Sequence, residues 1–168
     1  MKTSYKNIIN LYNEAMDAGI KIHEVTENKK AFLDLLLLAD EQEDMIDRYL
    51  EHGRMFVLED ESGKVFGECV VTDEGGGVLE IKNIATSPEV HGKGYGRALI
   101  QYVENAFSGK FSVLQVGTGD SPLTVPFYEK CGFTRHHVEK DFFIKNYDHP
   151  IFEAGVQLVD MVYLRKEI

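Results

Sequence analysis

The chain is 168 residues long, 43% apolar and 11% aromatic, a composition that supports one folded domain with a sizeable core and excludes an unfolded chain. Twenty-eight acidic residues against eighteen basic ones give a formal charge of -10, which argues against nucleic acid and anionic membrane as partners and favours a cationic substrate. No apolar run approaches the ~18 residues needed to span a bilayer, and no charged-then-apolar leader is visible, so a soluble, cytoplasmic protein is expected.

Residues 3–18 place Tyr5, Ile8, Ile9, Tyr12 and Met16 on one helical face, with Gly19 as a stop. This helical extension, 1–19, needs a cover for its apolar stripe, either its own domain, 20–168, or a second copy in a homodimer. Residues 20–25 read as a strand, 28–39 as a helix capped by Thr26 or Asn28, and 42–52 as a helix with Met45, Ile46, Tyr49 and Leu50 inward. Three β-rich segments, 55–59, 65–72 and 78–85, are separated by Asp60-Glu61-Ser62-Gly63 and Asp73-Glu74-Gly75-Gly76-Gly77, so an antiparallel meander is predicted.

The third of these segments runs into Ser87-Pro88-Glu89-Val90-His91-Gly92-Lys93-Gly94-Tyr95-Gly96-Arg97 and then a helix with Ala98, Leu99, Tyr102, Val103, Ala106 and Phe107 on one face. Three glycines in five positions let backbone approach a ligand, and the helix aims its unpaired N–H groups and positive dipole end at the loop. This is an anion cradle. It is not the dinucleotide fingerprint, because Arg97 stands where G-x-G-x-x-G needs its third glycine, and not a P-loop, because no Gly-Lys precedes Ser or Thr. A strand at 111–116 follows and should run parallel to its predecessor, as in any βαβ unit. A helix starting at Asp120 or Ser121 and ending at Lys130 is expected to kink at Pro126. Strands 133–144 and 157–165 close the chain, joined by a loop, 145–155, that looks like a lid.

The cradle, His91-Gly92-Lys93-Gly94-Tyr95-Gly96, resembles the acyl-CoA loop of the GNAT superfamily of N-acetyltransferases, Gln/Arg-x-x-Gly-x-Gly/Ala, departing from it at His91. Downstream, Pro126-Phe127-Tyr128-Glu129-Lys130-Cys131-Gly132-Phe133 resembles the second signature of that family. The resemblance runs from about Ile22 to Arg165. It implies an α/β (α+β) fold with a mixed central sheet of about seven strands flanked by helices, here with an extra N-terminal helix. It also implies acetyl-CoA as cosubstrate, no metal, and direct transfer to a primary amine, with the helices at 28–52 bordering the acceptor.

Within that resemblance, the Ile84 amide would hold the acetyl oxygen and Thr86 the pantetheine arm, with Ala85 between them among the cofactor-binding residues. The pyrophosphate would rest on His91, Gly92, Lys93, Gly94, Tyr95, Gly96 and Arg97. Tyr128 would protonate the departing thiolate. Glu80 occupies the place of the family's general base, and the two-residue strand period sets it on the face of Ile84 four positions later. Its structural alternative is a strand carboxylate paired with Lys82 or Lys64. The loop at 145–155 favours a small amine; a protein or peptide amine, or a non-catalytic acyl-CoA-binding domain, is the alternative. His23, His52, His91, His136, His137 and His149 have no metal-ligand spacing, and Cys69 and Cys131 read as reduced core residues.

Overall fold

Residues 12–168 are described by the computed structural model. Strands β1 (Lys21–Val25), β2 (Arg54–Glu59), β3 (Val65–Asp73) and β4 (Val78–Thr86) form the antiparallel meander. Strand β5 (Val113–Gly119) then joins β4 in parallel, and β6 (Thr134–Glu139) is followed by a short hairpin of β7 (Phe152–Glu153) and β8 (Val156–Gln157). Strand β9 (Met161–Glu167) inserts between β5 and β6, antiparallel to both, so the seven-stranded sheet runs β1-β2-β3-β4-β5-β9-β6.

Apolar residues at successive strand positions face opposite ways, and helices cover both sides. On one side Phe56, Leu58, Cys69, Val71, Leu79 and Ile81 meet α4 (Tyr95–Phe107) through Ala98, Leu99, Val103 and Phe107. On the other, Met55, Val57 and Val70 meet Leu36 of α2 (Leu33–Ala39) and Ile46 of α3 (Glu43–Asp47). Each such side chain contributes about 1.5–3 kcal/mol on burial, so both helix layers are firmly fixed to the sheet. Helix α1, of which 12–17 is described, lays Ala15 on the first core with Tyr12 and Met16 beside it, so this part of the extension is covered by its own domain. Tyr5, Ile8 and Ile9 lie outside the described residues. No described helix is long and apolar enough to cross a membrane.

Several element ends differ from expectation. The helix expected over 28–39 begins as a 3-10 turn at Lys29–Phe32, and Asn28, in the left-handed region at φ 53°, caps nothing with its side chain. The helix expected over 42–52 is regular only through Asp47, then winds on by turns to the Gly53 N–H bond with the Tyr49 carbonyl (2.8 Å). Helix α5 (Thr124–Lys130) starts late enough to put Pro126 in its first turn, where an N–H has no helical partner to lose, so no kink is required. Ser121 instead accepts the Leu123 N–H (3.0 Å) in the preceding turn. The strand expected over 133–144 stops at Glu139, because Asp141 turns the chain at φ 57° and its N–H bonds Asp160. Phe142-Phe143-Ile144 then begin helix α6 (Phe142–Asn146): a short apolar run does not distinguish strand from helix, and here the contacts of Phe143 with Ile151 and Leu158 decide.

Candidate active site

Strands β4 and β5 pair only over Val78–Ile81 against Val113–Val116 and then part, because β5 continues along β9 while β4 continues along β3. The wedge between them opens into a cleft of about 1350 Å³. Its floor at one end is the predicted cradle. Gly92 and Gly94 stand at φ 82° and 81°, and a Cβ on Gly92 would meet nothing within 4 Å, so the loop presents bare backbone to the cleft. The amides of His91 and Lys93 are taken by the carbonyls of Pro88 and Val90, whereas those of Gly92, Gly94, Tyr95, Gly96 and Arg97 have no backbone partner among the described residues. The thirteen-residue helix α4 directs its dipole at them. This donor set suits a pyrophosphate.

Of the predicted residues, Ile84, Ala85, Thr86, His91, Gly92, Gly94, Tyr95, Gly96 and Arg97 line the cleft together; Lys93 does not. His91 Nε2 lies 3.1 Å from the Thr86 carbonyl, which only accepts, so this nitrogen carries the proton and braces the loop on the strand end. Tyr128 lies across the wedge on α5, 7% exposed, packed edge-on against Phe127 and Phe133. Its hydroxyl has no hydrogen-bond partner among the described residues, and burial raises the phenol above its ordinary range, so the proton stays on the oxygen.

Glu80 lines the cleft but not on the face expected. A bulge at Lys82 makes Val70 oppose Asn83 and Val71 oppose Ile81, which reverses the alternation between Glu80 and Ile84. Glu80 therefore shares the α2 side with Asn83 rather than the α4 side with Ile84. It is 6% exposed, with Oε1 at 2.9 Å from Lys82 Nζ and Oε2 accepting from Gln115 Nε2 at 2.5 Å; Arg165 Nε in turn fixes Gln115 Oε1 at 2.7 Å. Burial works against the charge of Lys82, but Glu80 and Glu74 outweigh it and hold the ammonium above its usual range.

The α2 side also carries a hydrogen-bonded network that sequence reasoning did not join. Asn83 Nδ2 donates to the Leu36 carbonyl (3.0 Å) and the Tyr49 hydroxyl (2.9 Å), and Tyr49 donates to Asp40 (3.3 Å). Tyr147, just beyond α6, donates to the other oxygen of Asp40 at 2.7 Å. Burial raises the Asp40 carboxyl, against the lowering by these two hydroxyls. Arg48 to Asn146 (3.0 Å) and the Asp148 N–H to Gln42 (3.1 Å) complete a tie between residues 146–148 and residues 40–48. The sequence sets Tyr49 on the inward face of the 42–52 helix and Tyr147 in the 145–155 loop, but nothing local joins them to Asp40 and Asn83.

The profile of the acetyltransferase (GNAT) domain matches residues 51–135. An uncharacterised N-acetyltransferase of Bacillus subtilis, YvbK, is 36% identical over 86% of this chain and 94% of its own length. A GNAT family acetyltransferase from Elizabethkingia anophelis, solved with acetyl-CoA bound, superposes with a TM-score of 0.84 at 34% identity, over 89% of this chain and 99% of that one. A Bacillus subtilis acetyltransferase in complex with CoA gives 0.80 at 34% identity with the same coverage.

Proposed function

The chain belongs to the GNAT acetyltransferases, and on that premise we propose that it moves the acetyl group of acetyl-CoA directly onto the primary amine of a small molecule. The amine nitrogen attacks the thioester carbonyl, a C–N bond forms, and the C–S bond breaks. The ammonium proton passes to Glu80, directly or through water, and the Tyr128 hydroxyl protonates the sulfur, so amide and free thiol are the products. Lys82 and Gln115 each donate to one Glu80 oxygen, which leaves lone pairs for that proton. The unpartnered, protonated Tyr128 hydroxyl suits the acid role. In this reading the Ile84 amide holds the thioester oxygen, Ala85 and Thr86 the pantetheine arm, and the free amides of Gly92 and 94–97 the pyrophosphate.

One observation carries the small-molecule acceptor. A peptide needs a groove open at both ends, and the Tyr147–Asp40, Arg48–Asn146 and Asp148–Gln42 bonds tie 146–148 across to the α2–α3 connection and the end of α3. The test is thiol release from acetyl-CoA with small amines and with peptides, the product identified by mass spectrometry. Acetylated small amines are expected; faster acetylation of peptides would overturn the acceptor class. Binding of acetyl-CoA without turnover of any amine would favour a non-catalytic acyl-CoA-binding domain.

A further inference from the structure

Resting on that acetyl-transfer reading, we propose that the acceptor is a primary amine carried on a flat apolar body, an arylalkylamine, whose ring lies against a wall built by residues 142–161. Phe143, Ile151 and Leu158, with Phe142, Tyr147 and Met161, form a hydrophobic cluster that belongs to neither core. All six line the cleft. Phe143, Ile151 and Leu158 are buried and hold the segment together, while Phe142, Tyr147 and Met161 stay partly exposed along the cleft that all six line. Strand β5 is kept bare to admit it, since a Cβ on Gly119 would come within 2.5 Å of Leu158. The rings are fixed in advance: Phe143 stacks on Tyr147 with centroids 5.6 Å apart, Phe142 stands edge-on to Phe143 at 5.5 Å, and the Tyr147 hydroxyl is held by Asp40. At the rim, Phe152 and Leu38 remain 58% and 53% exposed although both line the cleft. Aromatic walls of this kind bind flat apolar groups at low entropic cost.

The carboxylates around the cleft are held by neighbouring groups. Asp40 is bonded to Tyr147 and Tyr49, Glu74 to Thr72 and Lys82, and Glu80 to Lys82 and Gln115. Glu41 faces His149 at 3.6 Å, and Glu153 accepts from Thr124 at 3.4 Å. Each carboxylate lining the cleft therefore already has at least one partner, with lone pairs left over, so the aromatic wall rather than the charge pattern carries the preference for an aryl group.

The test compares 2-phenylethylamine, ethanolamine and spermidine, by calorimetric binding to the CoA-saturated protein and by thiol release from acetyl-CoA. Burial of the phenyl ring should favour 2-phenylethylamine over ethanolamine by about tenfold or more in both Kd and kcat/KM. Phe152→Ala, a change at an exposed side chain that does not threaten the fold, should weaken 2-phenylethylamine several-fold more than ethanolamine. Equal or tighter binding of ethanolamine or spermidine, binding of none of the three, or an equal loss for both amines in Phe152→Ala would overturn the proposal. Preferential binding of 2-phenylethylamine without turnover of any amine would support the wall and contradict acetyl transfer.

Discussion

The side of the cleft suited to acetyl-CoA is made of backbone within one continuous stretch, 82–97, whereas the side proposed for the amine is assembled from side chains of 38–52, 74–83 and 142–163. The first depends on φ angles and free amides at Gly92 and Gly94, the second on hydroxyls, carboxylates and rings that meet only after folding. A site made of backbone tolerates change in its surroundings but not in its glycines. A site made of side chains can be altered one residue at a time without losing the other half.

The largest effect should come from the backbone half. Gly94→Val forces a β-branched residue to φ 81° and crowds the free amides, so it should abolish CoA binding. At CoA a hundredfold above Kd, the parent should gain about 2.7 kcal/mol, or roughly 5–10 °C in Tm. A variant that keeps this gain would break the distinction. Next, Tyr128→Phe should lower kcat about 100-fold and leave the Kd of acetyl-CoA unchanged, as expected of a proton donor used in the transition state. Parallel losses in kcat and acetyl-CoA affinity would instead make Tyr128 part of the cofactor wall. Glu80→Gln should cost about tenfold in kcat/KM and flatten the rising limb of its pH profile, with Tm unchanged. An unaltered limb would reduce Glu80 to a partner of Lys82.

The smallest effect concerns Glu68 on β3, fully buried beside Ala85, with no side-chain partner for its carboxylate among the described residues. Burial drives its carboxyl well above the usual range, and the Ala85 amide offsets only part of that. The folded chain thus keeps a proton that the unfolded chain releases above its ordinary carboxylate pKa, so stability is greatest at acid pH and falls as pH rises toward the folded value. Glu68→Gln should remove that fall, raising Tm by a few degrees at pH 9 and little at pH 5. Equal Tm changes at both pH values would contradict it.

The same contrast explains what was legible in the sequence. The cradle, the meander and the parallel β4–β5 pair could be read because glycine spacing and strand periodicity act locally. The face of Glu80 could not, because one extra residue at Lys82 reverses the alternation and leaves no mark in composition. Nor could the Asp40–Tyr147 bond, whose partners lie 107 residues apart, or helix α6, whose three apolar residues fit a strand equally well until Ile151 and Leu158 pack on them.

Both halves must be occupied at once if transfer is direct, and initial rates with acetyl-CoA and the best amine varied together test this. Intersecting double-reciprocal lines, and no acetyl group on protein recovered after incubation with acetyl-CoA alone, are the predicted result. Cys131, 2% exposed and with its thiol pushed up to about 11 by burial, is unfit to carry the acetyl group. Parallel lines with a stable acetylated protein would contradict the account.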